Sequence, residues 1–254
     1  MSVKEIIMAA QEIPLLGYRP KLLSRVEVAE GTMAFHFEKP PGFDFKPGQS
    51  SDLTLVNPPE NDSEGNVRTF SIASAPFENE LMFATRMRDT AFKRSLKRVP
   101  LGTPVKMESP VGSFTLHKNS AKPAVFLAGG IGITPFFSIV KQAVHERLPH
   151  KLYLFYSNRR PEDAPFLEVL ENLEETNSSF RFVGTMTEMP HSKKEWHGEM
   201  GLIDNAMLSR YLSDLRGPIY YIAGPPAMVA GMRKMLVVSN VDEDDIRTEE
   251  FAGY

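Results

Sequence analysis

A glycine-rich stretch in the middle of the chain is the first place where residue types and spacing could do chemistry. Residues 127–135 read LAGGIGITP, and they continue an apolar run at residues 124–128 that suits a strand buried on both faces. Glycines at a strand-to-helix turn let the backbone approach a ligand closely. The N–H groups and dipole of the following helix favour an anion such as a pyrophosphate. We expect Thr134 to cap this helix and Pro135 to take its first position.

The same stretch has a plainer interpretation as the turn of an ordinary βα unit. Its spacing is neither the G-x-G-x-x-G of a Rossmann fold nor that of a P-loop, which needs a lysine after the glycines. The turn alone therefore leaves nucleotide binding and a simple connection both open, and other parts of the chain must decide.

Composition sets the class of protein in which that chemistry takes place. The chain has 254 residues, of which 42% are hydrophobic and 24% charged, as in soluble globular proteins of one large or two smaller domains. A net charge of −3 gives no support for a nucleic-acid partner. The sequence contains no cysteine, which excludes cysteine-held iron–sulfur clusters, disulfides and thiolate zinc within it. The histidines have no metal-binding spacing, so we predict no metal site. We also expect no membrane span and a cytoplasmic location, because no signal segment or long apolar run is found.

Two kinds of pattern divide the chain near residue 119. Residues 17–118 contain short strand patterns separated by turn residues and one helical pattern at residues 90–97, which predicts an antiparallel β-barrel. In residues 119–254 strands alternate with helices, which predicts a doubly wound parallel α/β sheet. The strands that we expect are residues 22–28, 32–37, 52–56, 67–74, 81–87, 105–108, 125–128, 152–156, 181–185, 219–223 and 245–248. Residues 1–16 receive no functional assignment.

Four short motifs occur in order along this two-domain pattern. They are RTFS at residues 68–71, GGIGITP at 129–135, AGPPAM at 223–228 and EEFAGY at 249–254. These motifs resemble the R-x-[YF]-S flavin motif, the G-G-x-G-x-T-P loop, the C-G-P-x-x-M stretch and the acidic–aromatic tail of the ferredoxin–NADP reductase-like family. The resemblance covers roughly residues 19–254. It implies an FAD-binding barrel followed by an NAD(P)-binding domain, without a fused iron–sulfur domain.

On the flavin side, the resemblance implies a role for each residue of the RTFS motif and of the helix that follows. Phe70 would stack on the flat isoalloxazine, the forked donors of Arg68 would bind the diphosphate, and the hydroxyl of Ser71 would lie near flavin N5. The helix start at Thr90, together with Lys93, would also bind the diphosphate. The plain alternatives are a core aromatic, a surface ion pair and an ordinary strand serine. Further flavin contacts are expected at Thr69, Arg86 and Phe92.

On the nicotinamide side, the resemblance points to the turns that follow three strands of the α/β domain. Ser157, Arg159 and Arg160 follow the second strand, whose tip faces the adenosine ribose in doubly wound folds. Basic groups there favour the 2′-phosphate of NADPH over NADH, although a solvated loop is an equal alternative. Ala223 stands where many family members have a cysteine close to the nicotinamide. The other residues expected to hold the cofactor are Gly130, Gly132, Thr134, Pro135, Gly224, Pro225 and Met228.

The tail supplies the last group of candidates. By resemblance, Phe251, or failing that Tyr254, would cover the flavin face that the nicotinamide must reach. Glu249 or Glu250 would hydrogen-bond Ser71 and relay a proton during flavin reduction. A frayed chain end is the plain alternative.

The function predicted from these motifs is an NAD(P)H-dependent flavoprotein reductase, acting as a monomer or homodimer. It would transfer hydride from NADPH or NADH to bound FAD and pass electrons to a separate acceptor, such as ferredoxin, another redox protein or a small molecule. Two alternatives stay open. One is a free flavin or ferric reductase that uses flavin as a substrate, and the other is an electron-transfer subunit that works only within a larger oxygenase or dehydrogenase.

Overall fold

Six antiparallel strands and one helix form the first part of the molecule. The protein is represented by a computed structural model, which describes residues 17–251. The strands form two three-stranded sheets, ordered β1-β2-β5 and β4-β3-β6. Side chains from both sheets share one apolar core, including Phe35 and Phe37 from the first and Leu53 from the second. The elements are β1 (Leu22–Ala29), β2 (Thr32–Glu38), β3 (Ser50–Leu55), β4 (Val67–Ser71), β5 (Glu80–Arg86), α1 (Ala91–Arg98) and β6 (Val105–Met107).

A six-stranded parallel sheet with helices forms the second part, and the predicted two-domain fold class is thereby confirmed. All side chains of β7 and β11 are buried, as expected for parallel strands covered on both faces. The two-residue strand β10 escaped prediction because it is too short to carry a periodicity. The elements are β7 (Ala124–Gly129), α2 (Ile133–His145), β8 (Leu152–Asn158), α3 (Leu167–Thr176), β9 (Phe180–Met186), β10 (Glu199–Met200), α4 (Asn205–Tyr211), β11 (Ile219–Gly224), α5 (Pro226–Val238) and β12 (Ile246–Glu250).

The order of the parallel strands creates a place for a ligand. From β7 the chain moves outward through β8, β9 and β10, and it then returns to place β11 on the other side of β7. The carboxyl ends of β7 and β11 therefore form a topological switch point, where open α/β sheets bind their ligands. None of the helices within residues 17–251 is long and apolar enough to cross a membrane.

The turn after β7 differs in detail from the prediction. Gly130–Gly132 form a 3-10 turn that continues directly into α2, whose N-cap is Gly132. The expected cap at Thr134 is therefore wrong, and its hydroxyl instead donates a hydrogen bond to the carbonyl of Ile131 at 3.1 Å. Pro135 is the third helical residue rather than the first. It is tolerated there because N–H groups of the first turn have no partner within the helix.

The two parts of the molecule share an apolar cluster. Ala73 and Phe114 from the first part pack in the same cluster as Phe136 and Tyr221 from the second. The ring centroids of Phe114 and Phe136 are 5.5 Å apart. Because this core is continuous, the domain boundary near residue 119 stays a prediction from composition.

Candidate functional site: a nucleotide cleft and a cationic surface

A cleft of about 710 Å³ opens at the switch point. Its walls come from the carboxyl ends of β7, β8, β9 and β11 and from the end of β5, so both parts of the molecule contribute. The predicted residues that it brings together are Arg86, Gly130, Ser157, Arg159, Pro225 and Met228.

Other lining residues were not found from the sequence. Arg88 has one signal that could have revealed it, its position two residues after Arg86 at the end of β5. Asn158 is only 6% exposed, and neither polar atom of its side chain has a hydrogen-bond partner among the residues described here. The remaining ones come from separate segments that only the fold assembles, and they include Thr187, Leu202, Ile203 and Met232.

The predicted glycines of the turn have different physical roles. Gly130 lines the cleft and has a φ of 52°, a backbone conformation that residues other than glycine rarely adopt. Gly132 is buried and does not line the cleft. A Cβ at Gly132 would lie 2.3 Å from the carbonyl oxygen of Ala223, so the close packing of the turn on β11 requires a glycine there. Of these two glycines, Gly130 is the one placed to let a ligand approach the backbone.

The two predicted phosphate-binding arginines are separated by the fold. Arg159 lines the cleft, its side chain is 73% exposed, and its guanidinium lies 3.7 Å from Glu188. Arg160 instead makes two hydrogen bonds to Asp163, at 2.8 and 2.9 Å, and one to Glu30 on the barrel at 3.1 Å. The Arg160 guanidinium holds the pKa of the Asp163 carboxyl below its usual range. We therefore assign Arg160 to the contact between the domains and leave it out of the cofactor site.

On the barrel, alternation along β4 decides which residues of the flavin motif share a face. Arg68 and Phe70 both lie next to Phe92, with the Arg68 guanidinium 5.1 Å from its ring centroid and the Phe70 centroid 6.0 Å from it. Phe92 is buried in the core, and Arg68 and Phe70 pack against its ring. Thr69 is exposed, and its hydroxyl donates a hydrogen bond to Asp52. Its side chain is therefore not part of this cluster.

The start of α1 adds donors to the same surface. Thr90 is the N-cap, and its side-chain oxygen accepts a hydrogen bond from the Lys93 N–H at 3.3 Å. The Lys93 ammonium donates to the carbonyl of Arg86 at 2.7 Å. Burial, together with repulsion from Arg88 and Arg68, lowers the pKa of Lys93 to about 8. The attraction of a bound anion would offset this cost of charging Lys93, so this set of donors fits a diphosphate.

A polar loop at residues 57–66, here called the acidic loop, already contacts these donors. A carboxylate oxygen of Asp62 accepts a hydrogen bond from the Ala91 N–H at the start of α1, at 2.9 Å. Glu64 accepts one from the guanidinium of Arg68 at 2.6 Å. Two donors of this cationic surface, the Ala91 N–H and the Arg68 guanidinium, thus bond to carboxylates of the same chain, and Arg68 also donates to the backbone carbonyls of Glu64, Gly65 and Val67.

The register of β12 distinguishes the two tail carboxylates. Glu249 lies beside Ala223 in the β11–β12 ladder and is half-buried, whereas Glu250 is exposed. Burial raises the pKa of Glu249 to about 7. Its Oε2 atom has no hydrogen-bond partner within residues 17–251, and no hydrogen bond joins either glutamate to the buried Ser71.

The last described residue, Phe251, is anchored at the domain interface. It packs against the shared apolar cluster, and its N–H donates to the carbonyl of Gly224 at 3.0 Å. Strand alternation puts its side chain on the same face as Glu249. Tyr254, the other predicted aromatic of the tail, lies outside the described residues.

Comparisons with known sequences agree with this architecture. Residues 126–234 match the family model described as the oxidoreductase NAD-binding domain. The chain is 26% identical over 228 residues to the reductase component of propane 2-monooxygenase from Rhodococcus jostii (strain RHA1), covering 85% of this chain and 58% of that protein. It is 26% identical over 225 residues to the reductase subunit of glycine betaine monooxygenase of Chromohalobacter salexigens, covering 87% of this chain and 60% of that protein. The chain therefore spans less than two thirds of either relative.

Solved structures share the whole two-domain fold. The FAD/NAD-binding domain of nitric oxide dioxygenase from Vibrio cholerae superposes with a TM-score of 0.80 at 18% identity, covering 92% of this chain and 98% of that one. A ferredoxin–NADP+ reductase from Neisseria gonorrhoeae, solved with bound FAD and NADP, gives 0.77 at 22% identity with the same coverage.

An antiparallel barrel followed by a parallel sheet with its cleft at the switch point is the fold that this chain shares with these solved structures. Residues 126–234 carry the match to an oxidoreductase NAD-binding domain, and the likeness of the whole chain to these solved structures is one of fold.

Proposed function

We propose that this protein is an NAD(P)H-dependent flavoprotein reductase. It would bind FAD at the barrel, accept hydride from NADPH or NADH held in the cleft, and pass electrons to a separate acceptor. The main support is the cleft itself, where Gly130 lies at the switch point and the barrel contributes Arg86 and Arg88. A dinucleotide lying there would contact both parts of the molecule.

The barrel residues fit the diphosphate and the ring of FAD. Arg68, Lys93 and the N-terminus of α1 supply donors for the diphosphate, and Phe70 shares a face with Arg68. Bound FAD would supply the hydride acceptance and the one-electron release, while the protein binds and orients it. Ser71 follows Phe70 at the end of β4 and is assigned to the reactive part of the ring by the family motif.

Among the tail carboxylates, we assign proton transfer to Glu249. A carboxyl group with a pKa near neutrality can hold and release a proton under working conditions, which is what a general acid or base requires. Its position beside Ala223 supports the assignment, because the family motif places that residue near the nicotinamide. Phe251, on the same face, is the proposed aromatic cover of the flavin.

Arg159 is the basis for a preference for NADPH. It is an exposed, forked cation at the carboxyl end of the second parallel strand of the domain, suited to a phosphate group. We propose that it contacts the 2′-phosphate, so that NADPH binds more tightly than NADH.

For the acceptor we propose a redox protein, with an oxygenase component as the most specific candidate. Similar proteins are named as reductase parts of propane 2-monooxygenase and of glycine betaine monooxygenase. A second candidate, in which flavin is a substrate that comes and goes, is favoured by the acidic loop, since its carboxylates compete for the donors that would hold FAD.

A purified sample tests these proposals directly. The protein should carry a flavin absorbance spectrum, and rapid mixing with NADPH should bleach it faster than mixing with NADH. Turnover with an artificial electron acceptor would show that no partner chain is needed. A protein that never takes up FAD or FMN would contradict the proposal.

A further inference from the structure

The acidic loop meets the cationic surface of the barrel at three separate points. Asp62 accepts the Ala91 N–H at the start of α1, and Glu64 accepts from Arg68. Glu60 extends the contact along the helix, since its two carboxylate oxygens lie 2.6 Å from Arg94 and 2.7 Å from Arg98. Each acid of the loop therefore neutralises part of α1 or the arginine beside it.

Two of these contacts use the donors that a diphosphate would use. A carboxylate and a phosphate both prefer the N–H groups of a helix start and the fork of an arginine. The single hydrogen of the Ala91 N–H cannot serve both anions, and the charge of the Arg68 guanidinium would have to be shared between them. Asp62 and Glu64 therefore bond to donors that a bound anion would otherwise use.

The loop is held by polar contacts, which include donation from Arg68 to the carbonyls of Glu64 and Gly65. Its base is closed by two hydrogen bonds between Leu55 and Asn66, at 2.8 and 3.0 Å. Near its ends, Asn57 and Gly65 adopt positive φ values of 48° and 73°. Residues 57–66 contribute no side chain to the apolar cores, so moving the loop exposes little apolar surface.

We propose that the acidic loop is an internal competitor for the flavin diphosphate: Asp62 and Glu64 occupy the barrel's anion donors in the flavin-free protein and must release them for FAD to bind. This inference rests on the proposed function, in which the barrel binds FAD. The apparent affinity is then lower than the intrinsic affinity by the fraction of molecules in which the loop is displaced. The loop thereby sets how readily the protein takes up and loses its flavin.

The experiment compares an Asp62→Asn, Glu64→Gln double variant with the wild-type chain. Both substitutions keep the side-chain shape and remove the charge, and Asp44→Asn removes a charge from another exposed position of the barrel as a control. Binding of FAD and of riboflavin, which has no phosphate, is measured by titration of flavin fluorescence. We expect the double variant to bind FAD at least about tenfold more tightly, with riboflavin binding changed by less than about twofold and the control unchanged.

Two results would overturn the proposal. Unchanged FAD affinity would mean that the carboxylates do not compete, and weaker FAD affinity would mean that they hold Arg68 in its binding position. A calorimetric titration with inorganic pyrophosphate separates this inference from the proposed function. If no chain binds flavin but the double variant binds pyrophosphate more tightly than both wild type and Asp44→Asn, the competition stands and flavin binding fails. Equal pyrophosphate binding by all three chains would overturn the competition as well.

Discussion

The cleft of the α/β domain and the cationic surface of the barrel are both suited to phosphate groups, yet they differ in what occupies their donors. In the cleft, Arg159 is largely exposed and Gly130 presents its backbone beside an open volume. On the barrel, Arg68 and the N-terminus of α1 are already bonded to carboxylates of the acidic loop. The donors of the cleft are therefore open to a ligand, whereas the donors of the barrel are bonded to carboxylates of the same chain.

The difference has a cause in the surrounding structure. The turn beneath the cleft is pressed against β11, and Gly132 marks the point of closest approach. Such close packing favours one geometry of the turn. The barrel surface instead borders a loop with acidic side chains and no apolar anchor, so its donors can change partners.

A large effect on stability is expected from filling the space at Gly132. In a Gly132→Ala variant the new Cβ would meet the Ala223 carbonyl, a backbone atom that cannot retreat, and we expect a loss of about 1–3 kcal/mol in unfolding free energy. The control is Gly231→Ala in α5, where no atom lies within 4 Å of the new Cβ. That variant should gain about 0.4–1 kcal/mol. Denaturant titration measures the unfolding free energy of both variants. A Gly132→Ala variant as stable as wild type would show that the turn can shift to make room for the Cβ.

Removing Arg68 should separate the two sites. Loss of its charge-assisted contact in Arg68→Ala should weaken FAD binding about ten- to a hundredfold, because such a contact contributes about 1.5–3 kcal/mol. Binding of NADP+ in the cleft, followed by calorimetry, should be unchanged. Arg68→Lys keeps the charge but lacks the forked donors, so its affinity for FAD should lie between those of wild type and Arg68→Ala. Equal losses at both sites would instead indicate damage to the fold.

A smaller effect is expected for cofactor choice. Arg159→Ala should raise KM for NADPH about tenfold and leave KM for NADH nearly unchanged, since only NADPH has a 2′-phosphate. Arg160→Ala should not change this ratio. It should lower thermal stability instead, because its partners are Asp163 and Glu30. If Arg160→Ala changes the ratio and Arg159→Ala does not, the assignment of the two arginines is reversed.

The smallest effect concerns the buried carboxyl of the tail. The pKa of Glu249 is raised by burial from its ordinary value of 4.5 to about 7, so the folded protein binds more protons than the unfolded chain between these values. Its contribution to unfolding free energy should therefore be fully present below pH 4.5 and be lost as pH rises towards 7. Denaturant titrations of wild type and Glu249→Gln across this range test the sign.

The same variant tests the proposed chemistry. The rate of flavin reduction by NADPH, plotted against pH, should show an inflection near pH 7 in wild type. This inflection should disappear in Glu249→Gln. Glu250→Gln is the matched control, because that side chain is exposed on the opposite face of β12. An inflection that stays in Glu249→Gln would rule out Glu249 as the titrating group.

Local patterns in the sequence determined the kind and order of most elements. The alternation of β3 indicates a strand with one buried face, and the unbroken apolar run of β7 indicates a strand buried on both faces. Both patterns can be recognised without knowledge of distant residues. The four motifs carried the family resemblance because each consists of adjacent residues. They also located Gly130 and Arg68 on the surfaces where the structure places candidate sites.

What only the tertiary structure decided was which of these residues have partners already. Arg160 is engaged by Glu30, 130 residues away in the chain, and Ala91 is capped by Asp62 across 29 residues. The register of β12 leaves Glu249 half-buried and its neighbour Glu250 exposed. A sequence pattern states what a side chain can bind, but charge pairing and burial depend on distances between segments, and those are fixed only when the sheets and loops pack together.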